Sequence, residues 1–316
     1  MNDNTFVIAA LCSHMGSEEP EKPLEPKVWR ALEAALLEQD LQPADLLHFR
    51  KPELMERLNA DEAQAERLLR LLDRAAGLSF TLSRYETMGI RLLTGWDAQY
   101  PARLKQKLGS SCPPLFYAAG SIELLEKQAV GYVGSRSIGE TDEAFTKQTV
   151  QKTVGFGYGV VSGGAKGIDT VAETAALEAG GTAVAFLADS MLRKLKHAKT
   201  IQAVQEGRLL LLSSVNPEAG FSAGIAMMRN RYIYAQSDAT VVVKSDYNKG
   251  GTWAGAVDNL KHHWAATLCR DHKAYPGNKA LLEQGAIPID SNWDGDVTRL
   301  LDEKQAEHGE QLSLFD

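Results

Sequence analysis

Three glycine-rich turns carry the residues best suited to chemistry in this sequence. They are Gly134-Ser135-Arg136, Ser162-Gly163-Gly164-Ala165-Lys166-Gly167 and Asn248-Lys249-Gly250-Gly251-Thr252. Glycine lets backbone N–H groups come close to an anion, and a helix N-terminus that follows such a turn favours negative charge. Arg136 adds a planar fork of donors, and Lys166 and Lys249 add mobile point charges. Together these residues point to recognition of phosphate.

Other chemistries are poorly supported. Gly155-x-Gly157-x-Gly159 precedes an apolar run where a dinucleotide fingerprint would follow one, and no Gly-x-x-x-x-Gly-Lys-Ser/Thr segment occurs. His262, His263, Cys269 and His272 match no common zinc spacing. Ser135 and Ser162 lack the Gly-x-Ser-x-Gly context of a nucleophile. A binding protein with no catalytic residue, metal or cofactor is therefore expected.

The turns need elements to hold them. Short β-branched and aromatic runs end at Gly134 and at Ser162, with helix-compatible residues between and after them. That is a βαβ unit with both turns at the carboxyl edge of a parallel sheet, where open α/β sheets bind ligands. Further strands are expected at residues 88–94, 113–120, 182–187, 209–213, 239–244 and 264–270, and a helix is expected to open at Met228-Arg229-Asn230-Arg231-Tyr232. Before them, leucines at 32, 36, 37, 46, 47, 54, 58, 68, 69 and 72 recur at helical spacing. Breaks at Asn59-Ala60-Asp61 and at Gly77 divide this part into short amphipathic helices.

Composition sets the class. The chain has 316 residues, 44% hydrophobic and 24% charged, which is ordinary for a globular protein. A net charge of −7 argues against coating by nucleic acid over the whole surface and leaves room for a local basic groove. Three scattered cysteines fit a reducing compartment. The apolar run at residues 6–12 is short and follows Asp3, unlike a signal peptide, and no stretch is long enough to span a bilayer. A cytoplasmic protein that does not engage membranes is expected.

The segments GIRLLTGWDAQYPARL, PPLFYAAG, GYVGSRSIG, VVSGGAKGIDTVAETAAL and RNRYIYAQSD, in order and in register, resemble the DNA-processing protein A family (DprA/Smf) from about Leu68 to Ile289. The resemblance implies an α/β fold: an extended Rossmann-like parallel sheet flanked by helices, preceded by a small all-α domain. It divides the chain into a helical domain (1–85), a Rossmann-like DNA-processing domain (86–293) and an acidic tail (294–316). It implies a homodimer that binds single-stranded DNA and assists loading of the RecA recombinase in recombination or natural transformation. Gly134, Ser135, Arg136, Ser162, Gly163, Gly164, Lys166, Lys249, Gly250, Gly251 and Thr252 become candidate phosphate contacts. Tyr247 and Trp253 are candidate faces for bases, with core packing equally open for Trp253.

Two candidates come from the resemblance with alternatives attached. Residues 190–204 hold Arg193, Lys194, Lys196 and Lys199 and no acid, near where family members carry a DNA-contacting lysine. The family's Tyr-Pro-x-x-Asn is missing there, and Lys196 is chosen against the alternative of a solvated helix face. Arg229 and Arg231 match the family's Arg-Asn-Arg, where phosphate binding and a structural ion pair are equally open.

The tail after Trp293 is too short for the winged-helix domain many relatives carry. It ends in Gln311-Leu312-Ser313-Leu314-Phe315, which resembles the peptide by which bacterial proteins dock on the DNA polymerase sliding clamp. The alternative is a C-terminal anchor folded back on the domain. One enzymatic alternative also stands: related Rossmann-like phosphoribohydrolases carry Gly-Gly-x-Gly-Thr-x-x-Glu and act on small nucleotides. Here Thr252 is followed by Trp253, Ala254 and Gly255, and Asp258 falls on a different helix face.

Overall fold

The structure is a computed structural model that describes residues 2–14 and 21–303. In chain order its elements begin with α1 (Asp3–Cys12), α2 (Pro26–Glu38), α3 (Lys51–Arg57), α4 (Glu62–Leu72), α5 (Ala75–Thr87), β1 (Arg91–Thr94), α6 (Ala102–Leu108) and β2 (Leu115–Gly120). There follow β3 (Ala129–Val133), α7 (Glu140–Gly155), β4 (Gly159–Ser162), α8 (Ile168–Glu178), β5 (Ala183–Leu187), α9 (Met191–Lys194), α10 (Ala198–Gln205) and β6 (Leu209–Ser213). The last are α11 (Ala223–Gln236), β7 (Ala239–Val242), α12 (Gly250–His262), β8 (Ala266–Arg270), α13 (Pro276–Glu283) and β9 (Ile287–Ile289).

Two compact units divide the chain. The first comprises Met1–Ile122, Asp189–His197 and Leu211–Gly220. The short apolar run near the start of the chain is its central helix, α1, in which Val7, Ile8, Ala9, Ala10 and Leu11 are all buried. Asn2 caps α1 by accepting from the Thr5 amide at 2.8 Å. Asp61 and Gln64 exchange side chain–backbone hydrogen bonds at the start of α4, which explains the break before it. The break expected at Gly77 does not occur, because that glycine lies inside α5 and the chain turns earlier, at Asp73-Arg74. A single glycine costs a helix only about 1 kcal/mol, which tertiary packing overrides. In the same unit β1 pairs antiparallel with β2, setting Leu93 opposite Phe116.

The second unit comprises Glu123–Ala188, Ala198–Leu210 and Phe221–Asp316. Its strands lie side by side in the order β5-β4-β3-β7-β8-β9, every pair parallel. Val130 on β3 is in register with both Val160 on β4 and Ala239 on β7. The strands β3, β4, β5 and β7 are buried along their whole length, so they read as continuous apolar runs without alternation. Helix α8 packs on β3, β4 and β5, and α11 packs on β3, β4, β5 and β7. The α/β class and the mostly parallel sheet flanked by helices are as expected.

One expected boundary is corrected. Residues 228–232 do not open a helix but lie in the middle of α11, which begins at Ala223. Ile225, Ala226, Met227 and Met228 are apolar or good helix formers, and Gly224 does not stop them.

Strand order locates the place for a ligand. From β3 the chain moves to β4 on one side, whereas β7 leads to β8 on the other. The crevice outside the carboxyl ends of β3 and β7 is therefore the switch point of this sheet.

Candidate functional site

A cleft of about 680 Å³ opens at that switch point. Gly134, Ser135 and Arg136 line it from the end of β3, and Lys244 and Asp246 from the end of β7. The start of α12 contributes Lys249, Gly250, Gly251, Thr252 and Trp253, and α11 with its approach contributes Phe221, Met227 and Arg229. The first and third glycine turns are thus brought together. Four cations, Arg136, Arg229, Lys244 and Lys249, face it against two carboxylates, Asp169 and Asp246.

The first turn is locked in place by its neighbours. Ser135 N–H donates to Lys244 O at 3.0 Å, which ties the β3 turn to the end of β7. A Cβ on Gly134 would stand 2.5 Å from Ile168 Cγ1, so only glycine lets β3 close against α8. Arg136 is exposed, and its guanidinium lies 4.7 Å from the centre of the Phe221 ring. Phe221 is itself exposed and carries no sequence pattern that would have marked it. Such a cation–π stack presents a flat, charged surface at the cleft mouth.

The second turn reaches the cleft through Ala165 and packs behind the first turn elsewhere. Ser162, Gly163, Gly164 and Lys166 do not line the cleft. Ser162 is fully buried, and its hydroxyl accepts from the Gly164 amide at 3.3 Å. Gly163 N–H donates to Asp169 Oδ2 at 3.1 Å, and Arg229 Nη1 donates to the same oxygen at 3.2 Å. Gly167 has φ +82°, and a Cβ there would meet Ser135 O at 2.3 Å, so this turn backs directly onto the first. Lys166 is exposed.

The two arginines left open by the sequence take separate places. Arg229 is only 4% exposed, is paired with Asp169 and still lines the cleft; its Nε has no hydrogen-bond partner among the described residues. Arg231 points elsewhere: it pairs with Asp258 at 2.8 Å on the surface and does not line the cleft. Lys196 belongs to the first unit, just beyond α9, and is exposed.

At the third turn, Asn248 and Gly250 both have left-handed backbone, with φ of 51° and 81°. Lys249, the N-cap of α12, offers no side chain to the first helical amides, which leaves them without a cap. Trp253 is buried at this corner and meets the exposed ring of Tyr247 edge-on, centroids 5.1 Å apart.

A buried polar network supports the cleft from beneath. Asp142 at the start of α7 accepts from Arg270 at 2.9 Å, from Lys244 at 3.2 Å, from the Gly139 amide at 3.0 Å and from the Tyr275 hydroxyl. Burial pushes the Asp142 carboxyl up, but the hydrogen bonds from Tyr275, Gly139 and Lys244 outweigh it and hold it below the ordinary carboxylate value. Arg270 also lies 4.5 Å from the centre of the Phe145 ring. Lys244 donates in addition to Ser137 O at 3.2 Å, so the network sets the path of the β3 turn.

Among the described residues no group of three or more His, Cys, Asp or Glu side chains is placed to hold a metal ion. No helix among them is long and apolar enough to cross a membrane. The segment Gln311 to Phe315 lies outside the described residues.

Comparison with known proteins places this geometry. DNA processing protein DprA of Bacillus subtilis is 26% identical over 235 residues, covering 72% of this chain and 77% of that protein. Protein Smf of Synechocystis is 30% identical over 176 residues, covering 54% of this chain and 43% of its own length. Among solved structures, DprA of Streptococcus pneumoniae superposes with a TM-score of 0.71 at 19% identity, covering 93% of this chain and 96% of that one. DprA of Helicobacter pylori, solved to show how that protein binds single-stranded DNA, has a TM-score of 0.53 at 21% identity, covering 69% of this chain and 96% of that one. The sequence profile of the DNA recombination-mediator protein A family matches residues 91–296, well over half of the chain, and the chain belongs to that family.

Proposed function

We propose that this chain binds single-stranded DNA at the switch-point cleft and acts as a recombination mediator, without performing a reaction of its own. The observation that carries the reading is the cation-lined cleft whose mouth holds the stacked Arg136–Phe221 pair. Single-stranded DNA needs a positive track for its phosphates and flat faces for its bases, and both are present there. The uncapped backbone amides of the third turn can take phosphate oxygens without reading sequence. The H. pylori relative, named for binding single-stranded DNA, supports the choice of ligand.

The hydrolase reading has less support. The position of the phosphoribohydrolase glutamate is Gly255, where even a Cβ would stand 3.3 Å from Tyr234. Asp258 is engaged with Arg231 and His262 and does not line the cleft. The carboxylates that do line the cleft are Asp169, which is held by Arg229 and the Gly163 amide, and Asp246, which lies outside the glycine-turn helix where the family of hydrolases carries its glutamate.

Three partnerships belong to the same proposal. Homodimerisation and delivery of DNA to the RecA recombinase follow from family membership, in recombination or natural transformation. Docking on the sliding clamp follows from Gln311, Leu312, Ser313, Leu314 and Phe315. The first test is fluorescence anisotropy with labelled oligo-dT at two salt concentrations. Tight binding that weakens steeply with salt is expected; absence of binding at low salt would overturn the reading.

A further inference from the structure

We propose that the cleft is a phosphomonoester site: it takes the phosphate of a nucleotide that ends in one, in preference to an internal phosphodiester. The source is either the 5′ end of a strand or a free nucleoside 5′-monophosphate, since the two present the same group. The choice of a nucleotide rests on the nucleic-acid reading above.

Three observations converge on one spot. Helix α12 is thirteen residues long, and its N-cap residue Lys249 gives no side-chain bond to the first amides, which point out of the helix at Gly250, Gly251 and Thr252. Independently, Arg229 brings a guanidinium that is only 4% exposed to the lining of the same cleft, with its Nε unpartnered among the described residues. That Nε is itself closed to solvent, so what the cleft receives is the charge of a guanidinium already buried and fixed by Asp169, and an anion bound there does not have to desolvate it. Third, with Arg229 paired to Asp169 and Lys244 to Asp142, Arg136 and Lys249 remain in the cleft lining against Asp246, an excess of one positive charge.

The kind of phosphate follows from these donors. An internal phosphodiester carries one negative charge and two free oxygens. A terminal monoester carries roughly −1.5 to −2 at neutral pH and three acceptor oxygens. A site that offers capless helix amides, a buried guanidinium and surplus positive charge gains more from the second. The exposed ring of Tyr247, next to Trp253 at the same helix start, gives the attached base a face to lie on.

The test is equilibrium titration of the full chain with two oligo-dT strands of equal length, one 5′-phosphorylated and one 5′-hydroxyl. It is repeated with thymidine 5′-monophosphate or thymidine as competitor, and with Lys249→Ala, an exposed residue whose loss spares the core. The phosphorylated strand is expected to bind about tenfold tighter, a margin of one or two charge-assisted hydrogen bonds. The monophosphate should erase that margin, thymidine should not, and Lys249→Ala should shrink it. Equal affinity for the two strands, with no effect of the monophosphate, overturns this proposal and leaves DNA binding standing. Direct binding of the monophosphate without any DNA binding keeps the site, names the free nucleotide as its source and removes the DNA reading. Binding of neither overturns both.

Discussion

Gly163 and Arg229 share one volume: a Cβ on Gly163 would stand 0.8 Å from Nη1 of Arg229. The second glycine turn therefore exists to admit a guanidinium from α11, which bonds Asp169 beside the Gly163 amide. Gly163→Ala should expel Arg229 and break a buried ion pair. Breaking such a pair costs about 3–5 kcal/mol, and overpacking adds about 1–3 kcal/mol. Urea denaturation should report a loss of at least about 3 kcal/mol or failure to fold. A variant as stable as the parent would refute the packing described.

Arg136→Ala and Phe221→Ala should separate charge from stacking at the cleft mouth. Loss of Arg136 removes a phosphate contact, so affinity for oligo-dT should fall several-fold and the slope of log K against log salt should flatten by about one. Loss of Phe221 should weaken binding by about 1–3 kcal/mol with the salt slope unchanged, as expected for base stacking. If both variants change only the slope, Phe221 is a support for Arg136 and not a platform for a base.

Much of this was legible in the sequence, and the gaps have physical causes. Strands buried on both faces announce themselves as apolar runs, so β3, β4, β5 and β7 were readable, and glycine turns after strands marked the sheet edge. The Asp142–Arg270 pair was not, because its partners are 128 residues apart and neither sits in a pattern. Phe221 was invisible for the same reason: one exposed aromatic before a helix has no period. Ser162 and Gly163 have the residue types of a phosphate loop, yet they do not line the cleft and Gly163 is needed for packing against Arg229. Composition changes near residue 86, whereas the first compact unit continues to Ile122 and takes in two later segments, because compactness follows contacts distant in sequence.

Asp142 should give the fold an acid-sensitive component. Its carboxyl is held below the ordinary value of 3.8 in the folded state, so the folded chain binds its proton less readily than the unfolded chain. The stabilisation is then complete above the unfolded value and is lost as pH falls through the lowered folded value. In Asp142→Asn the component is absent, and Arg270 and Lys244 lose their shared counter-charge. Urea denaturation at several pH values should show the parent well ahead of the variant near neutrality. The gap should close as pH drops below 3.8. A gap independent of pH across that range would mean that Asp142 contributes shape and not charge.

The tail can be tested apart from the cleft. Gln311, Leu312, Ser313, Leu314 and Phe315 combine a polar hydrogen-bonding residue with two leucines and a phenylalanine, the composition of a short peptide that fills an apolar groove. Asp302, Glu303, Glu307 and Glu310 precede them in the sequence. Deleting residues 311–316 should abolish co-purification with the sliding clamp and leave oligo-dT affinity unchanged. Replacing Leu314 and Phe315 by alanine should do the same, because such a peptide draws most of its affinity from its apolar anchors. Clamp binding that survives both changes would remove the docking proposal, and loss of DNA affinity with the tail would instead favour its packing back on the domain.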